Sequence, residues 1–217
     1  MRKCAVFDLD GTLLNTLDSI AYFANCELAK HGLSPIDSDK YKYFVGDGAA
    51  ELMRRAFLYH GITLSETEIL KISADYVSGY NADCCYLTEV FDGIYELLSE
   101  LKGRHIKVCV FSNKPHSSVV PIVEHFFGNN TFDIVKGSEA GRPRKPDPTV
   151  LLEMLNSLDV SPSECAFIGD SSVDMKTGKN SGAVSIGVLW GFRTKEELLE
   201  NGADYIVSKA SEILNKM

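Results

Sequence analysis

Cys4-Ala5-Val6-Phe7-Asp8-Leu9-Asp10-Gly11-Thr12-Leu13 decides how the rest of the chain is read. The run Cys4 to Phe7 is apolar and of strand length, which reads as a buried strand. It stops at two acids one residue apart, followed by glycine and a hydroxyl. Two carboxylates at the tip of a buried strand repel one another unless a cation or a proton offsets them. Asp10-Gly11 alone is an ordinary turn pair. Turn chemistry does not account for Asp8, which stands where the strand should still be dry. The answer depends on what else the fold brings to that tip.

Beyond Leu13 the pattern turns helical. Leu17, Ile20, Ala21, Ala24 and Leu28 recur at helical spacing up to about Lys30, and Gly32 closes the run. Phe44 to Gly48 is a second glycine-flanked turn. Ala49 to about His60 carries Leu52, Met53, Ala56 and Phe57 on one face. Ser65 with Glu68 forms a capping-box pattern opening a helix that reaches at least Tyr80. The spacing thus predicts a mostly helical insert over residues 15–87, a lid or cap domain, with a core made of 1–14 and 88–217. In that core, strands and helices alternate, which predicts an α/β fold with a Rossmann-like parallel sheet. The expected strands are 106–111, 132–135, 165–169, 184–188 and 205–207.

In such a sheet, ligands sit beyond the carboxyl ends of the strands. The first strand ends at Asp8, the strand at 106 at Ser112 and the strand at 165 at Asp170. Right-handed connections place these tips on one edge. Asp8 and Asp170 are hard oxygen donors of the kind that suit Mg²⁺ together with a substrate phosphate. Ser112 offers a hydroxyl and the backbone around Asn113 offers N–H groups, both suited to phosphate oxygens. Lys145, stiffened between basic neighbours and Pro146-Asp147-Pro148, offers a point positive charge. Asp8 is then placed to attack phosphorus as a carboxylate nucleophile. Asp10 is placed to give a proton to the leaving oxygen and later to take one from water.

Composition narrows the field. The 217 residues are 45% hydrophobic and 24% charged, with a net charge of −8. An acidic balance gives no expectation of a nucleic-acid or membrane partner. No long apolar run or leader pattern is visible, so a cytoplasmic protein is expected. Of the six cysteines, Cys4, Cys109 and Cys165 lie in apolar runs and read as small core residues, while the adjacent Cys84 and Cys85 lack metal-ligand spacing.

Taken in order, Asp8-Leu9-Asp10-Gly11-Thr12-Leu13, Ser112-Asn113-Lys114-Pro115, Lys145-Pro146-Asp147-Pro148 and Gly169-Asp170-Ser171-Ser172-Val173-Asp174 resemble the four motifs of the haloacid dehalogenase superfamily. The resemblance is nearest to its phosphoglycolate phosphatase-like branch, and the helical insert resembles that superfamily's cap in the first position. It implies a Mg²⁺-dependent phosphatase of small phosphate monoesters, 2-phosphoglycolate first, working through an aspartyl-phosphate on Asp8. It implies Asp10 as general acid and base, and Ser112, Asn113 and Lys145 as phosphate-binding residues. It further implies metal binding by Asp8, Asp170 and the Asp10 carbonyl, with Asp174 supporting the metal shell. Dehalogenating members lack an acid at the position of Asp10, so its presence favours phosphate chemistry.

The cap turn Gly46-Asp47-Gly48 is a candidate substrate-reading loop. A monomer or weak homodimer is expected. The competing enzymatic readings are an inorganic pyrophosphatase or a sugar-phosphate mutase on the same core. The non-enzymatic one is a phospho-acceptor signalling or phosphate-binding module, which would not need an insert of about 70 residues.

Overall fold

The computed structural model describes residues 2–217. The chain opens with β1 (Cys4–Phe7) and the two-residue β2 (Leu14–Asn15). Four helices follow: α1 (Leu17–Lys30), α2 (Ser38–Tyr41), α3 (Ala49–Tyr59) and α4 (Glu66–Ala82). β3 (Glu89–Val90) then returns antiparallel to β2, with Leu14 opposite Val90. The core continues through α5 (Ile94–Gly103), β4 (Lys107–Pro115), α6 (His116–Phe127), β5 (Ile134–Ser138) and α7 (Thr149–Ser157). It ends with β6 (Cys165–Gly169), α8 (Ser172–Ser181), β7 (Val184–Val188), α9 (Lys195–Glu200) and β8 (Tyr205–Val207). Single 3₁₀ segments lie at Pro162–Glu164 and Ala210–Lys216.

The main sheet has six parallel strands in the order β5-β4-β1-β6-β7-β8. β1 lies inside it, with Phe7 beside Val110 of β4 and Ile168 of β6. Its four residues are all fully buried, as the continuous apolar run predicts for a strand covered on both faces. Successive side chains divide between two cores. Ala5, Phe7, Val108, Val110, Ala166 and Ile168 face the core that continues under the helical insert. Cys4, Val6, Cys109, Phe111, Cys165 and Phe167 face the one that α7 closes. The predicted α/β class and parallel sheet are therefore what the chain forms.

The insert is held together by its own apolar faces. Leu52, Met53, Ala56 and Phe57 of α3 and Ile72, Tyr76 and Tyr80 of α4 are buried against α1. The Ser65–Glu68 capping box starts α4 as its sequence predicts. Three features differ from the sequence reading. A short helix, α2, lies just before the turn at Phe44 to Gly48, where the sequence reading has no helix. It is entered by Asp37, which accepts from the Asp39 N–H. The insert is tied at its base by the β2–β3 ladder, two residues to a strand and too short to show a period. β4 does not end at Phe111 but runs on to Pro115, with a register shift against β5 between those residues. That irregularity carries Ser112, Asn113 and Lys114 past the regular ladder and into the site. No helix among the described residues is long and apolar enough to cross a membrane.

Candidate active site

Asp8 follows β1 and Asp170 follows β6, so adjacent parallel strands put both acids at one edge. One oxygen each of Asp8, Asp170 and Asp174 lies within 4.8 Å of the others, all three residues buried. Gly11 makes this possible. Its φ is +81°, and a Cβ there would come 2.4 Å from Asp170 Oδ2, so a side chain would displace that carboxylate. Asp170 is steered from the other side by the Phe192 N–H, which donates to Oδ2 at 2.7 Å.

Three buried acids share this edge with one buried ammonium, that of Lys145. Burial pushes the Asp8 carboxyl up to about 7; Lys145 works against that rise, while Asp174 and Asp10 add to it. Burial likewise pushes Asp170 up to about 8, with Asp174 and Asp8 adding repulsion. Asp8 Oδ1 is buried, and the Lys145 ammonium lies 2.9 Å from it. Three buried carboxylates around one ammonium leave negative charge over, and an all-oxygen donor set of this kind fits a hard divalent cation. The residues present therefore suit such an ion.

Lys145 is the buried cation under this cluster, its side chain 1% exposed. Its Nζ donates to Asp174 Oδ1 at 2.7 Å. Burial acts to lower this ammonium, but Asp174 and Asp8 outweigh it and its pKa is raised. Asp174 Oδ2 in turn accepts from the Ser171 hydroxyl and N–H, closing the capping box of α8. Both Asp174 oxygens are thus occupied, one in aiming Lys145 and one in starting a helix.

Asp10 stands on the opposite side of the strand tip. Its Oδ1 accepts from the Thr16 hydroxyl at 2.7 Å. Lys114 Nζ is 3.2 Å from Oδ1 and 3.3 Å from Oδ2. Ser112 is buried at the floor of the cleft. The Asn113 side chain accepts from the Lys145 N–H at 2.9 Å and donates to the Lys145 and Gly46 carbonyls. It joins two of the four motifs to the insert.

The cleft above these residues has a volume of about 60 Å³. Its floor is the acids, Ser112 and Asn113; its roof is apolar and comes from the insert, through Val45, Leu52, Tyr76 and Val77. The roof loop is fastened by its backbone. Arg193 donates to the Lys42 carbonyl and, at 3.0 Å, to the Val45 carbonyl, while Asn113 donates to Gly46 O at 2.9 Å.

The structure thus brings Asp8, Asp10, Ser112, Asn113, Lys145, Asp170 and Asp174 to one place. Gly46 and Gly48 line the cleft as well. Asp47 does not; its carboxylate turns to Arg55, 2.5 Å away. Four participants have no site role in the sequence reading: Thr16, Tyr80, Lys114 and Arg193. Only Lys114, inside a motif, carried a signal that could have raised it.

Known proteins resemble this chain along nearly its whole length. The chain is 28% identical over 218 residues to phosphoglycolate phosphatase 1 of Pseudomonas aeruginosa, covering 99% of this chain and 79% of that one. It is 29% identical to the N-acetylmuramic acid 6-phosphate phosphatase of the same organism, covering 98% and 93%. A solved protein of Lactobacillus delbrueckii subsp. bulgaricus, 30% identical, superposes with a TM-score of 0.92 over 100% of this chain and 98% of that one. The haloacid dehalogenase-like hydrolase family model matches residues 5–188, and with the acids of that match meeting at one sheet edge, the chain belongs to the haloacid dehalogenase-like hydrolases.

Proposed function

We propose that this protein is a Mg²⁺-dependent phosphatase of small phosphate monoesters, with 2-phosphoglycolate the favoured substrate. The observation that carries the reading is the buried Asp8 carboxylate at the sheet edge, grouped with Asp170 and Asp174 and paired with Lys145. Residues 15–87 serve as the cap, and residues 1–14 with 88–217 as the catalytic core.

An Asp8 oxygen attacks phosphorus, and the ester P–O bond breaks with its electron pair going to the leaving oxygen. Asp10 gives that oxygen its proton. Water then attacks the aspartyl-phosphate and passes a proton to Asp10, which restores Asp8 and the acid. Ser112, the backbone at Asn113 and Lys145 hold the phosphoryl oxygens and offset their charge, which is most of what phosphoryl transfer requires. Mg²⁺ would be held by Asp8, Asp170 and the Asp10 carbonyl, with Asp174 supporting them through Lys145. When bound it supplies the positive charge that the carboxylates and the phosphate share. The apolar roof excludes water from the transfer.

The likeness to phosphoglycolate phosphatase 1 of Pseudomonas aeruginosa supports 2-phosphoglycolate as the first substrate to try. The test is phosphate release from 2-phosphoglycolate, N-acetylmuramic acid 6-phosphate, glucose phosphates and pyrophosphate, with Mg²⁺ or EDTA, beside Asp8→Asn. Turnover that needs Mg²⁺, is fastest on 2-phosphoglycolate and disappears in the variant is expected. Full activity of Asp8→Asn would remove the nucleophile. No release from any compound would favour a phosphate-binding module.

A further inference from the structure

Lys114 stands at the end of β4, 9% exposed. A lysine at a strand tip ordinarily keeps its ammonium in water. This one turns inward, and both Asp10 oxygens lie within 3.3 Å of it. On its other side is the ring of Tyr80, from α4 of the insert, with its centroid 4.2 Å from Nζ. Burial acts to lower the ammonium, but Asp10 outweighs it and the pKa is raised.

A buried ion pair is weak evidence of a stabilising role, since apolar replacements are often neutral. Placement is the better explanation. Asp10 sits on the turn made by Gly11, and its carboxylate can otherwise swing about χ1. Thr16 holds one oxygen; Lys114 spans both.

We propose that Lys114 is a positioning residue. Seated on the Tyr80 ring, it fixes the Asp10 carboxylate for proton exchange with the leaving oxygen. The proposal rests on the reading of Asp10 as general acid and base. Because Tyr80 belongs to the insert, the seat is complete only with α4 down on the core. The acid is therefore held in place when the cleft is closed.

Proton donation leaves a signature. When the ester bond breaks, the electron pair moves to the leaving oxygen, and a weakly basic oxygen needs the proton less. The test compares phenyl phosphate with 4-nitrophenyl phosphate, matched in shape and different in leaving-group basicity, using the Mg²⁺-loaded protein. The quantity read is kcat/KM, which excludes the shared hydrolysis of the aspartyl-phosphate. Asp10→Asn is expected to lose about 10²–10⁴-fold on phenyl phosphate and less on the nitro compound. Lys114→Met is expected to move in the same direction, with phenyl phosphate losing about tenfold more than 4-nitrophenyl phosphate.

Lys114→Gln, which keeps N–H donors on a shorter side chain, should give a ratio between wild type and Lys114→Met. The ratio is taken within one preparation, so partial unfolding lowers both rates alike and leaves it unchanged. If Asp10→Asn discriminates between the esters and both Lys114 variants lose equally on them, Lys114 does not position Asp10. If Asp10→Asn itself loses equally, the acid–base reading falls, and this proposal with it.

Discussion

Gly169, the last residue of β6, shows how little room the site leaves. A Cβ there would lie 2.3 Å from Asp174 Cβ and Cγ. Asp174 aims Lys145, so a methyl group at 169 is transmitted to a cation that never touches it. Gly169→Ala is expected to lower kcat about a hundredfold while the far-ultraviolet spectrum stays native, because displacements of about 1 Å in such sites cost that much. Wild-type turnover in a folded Gly169→Ala protein would show that Asp174 need not stay where it is. At this scale the sequence was legible wherever an acid stood at the end of an apolar run. Asp8 and Asp170 could be picked out because burial makes a carboxylate anomalous. Thr16 and Arg193 could not, since a hydroxyl before a helix and an arginine in a loop are unremarkable until the partner is known.

Among the elements, the roof loop is the one whose hold can be tested directly. Arg193 extends from the segment after β7, and its neighbour Phe192 bonds Asp170. The same short segment therefore touches a carboxylate of the acid cluster and the insert. Arg193→Met removes two hydrogen bonds to carbonyls, each worth roughly 1.5–3 kcal/mol when the donor is charged. Trypsin is expected to cut the variant sooner at Lys40 and Lys42, and KM is expected to rise about tenfold. Equal digestion rates would show that the loop is held by its apolar contacts instead. The long helices and buried strands were readable because each spans several periods of its pattern. α2 and the β2–β3 ladder were not, because four and two residues are too few to show one. The extension of β4 past Phe111 was hidden by Pro115, which reads as a stop.

For the molecule as a whole, the acid cluster ties stability to pH. An unfolded aspartate titrates near 4, whereas Asp8 lies at about 7 and Asp170 at about 8 in the fold. The folded state therefore binds protons more tightly. That contribution to stability is complete below the unfolded value and is lost as pH rises through 7 to 8. The melting temperature of the metal-free protein should fall between about pH 5 and about pH 9. Mg²⁺ should raise it, and more so at the alkaline end, because the cation competes with those protons. Calorimetry across pH, with and without Mg²⁺, checks this; an increment independent of pH would mean the acids are already ionised without metal. The parallel sheet and its insert were legible in the sequence because both rest on patterns that run the length of the chain. The closeness of the insert to the core was not. It depends on contacts such as Lys114 with Tyr80, between residues that neither pattern relates.

The fastening of the roof loop separates two properties that evolution could otherwise change only together. Arg193 and Asn113 bind the carbonyls of residues 42, 45 and 46, and a carbonyl is the same whatever side chain the residue bears. The loop can therefore accept new side chains over the cleft while the bonds that dock it persist. What the cleft admits can therefore change, one side chain at a time, without loosening the segment that covers it.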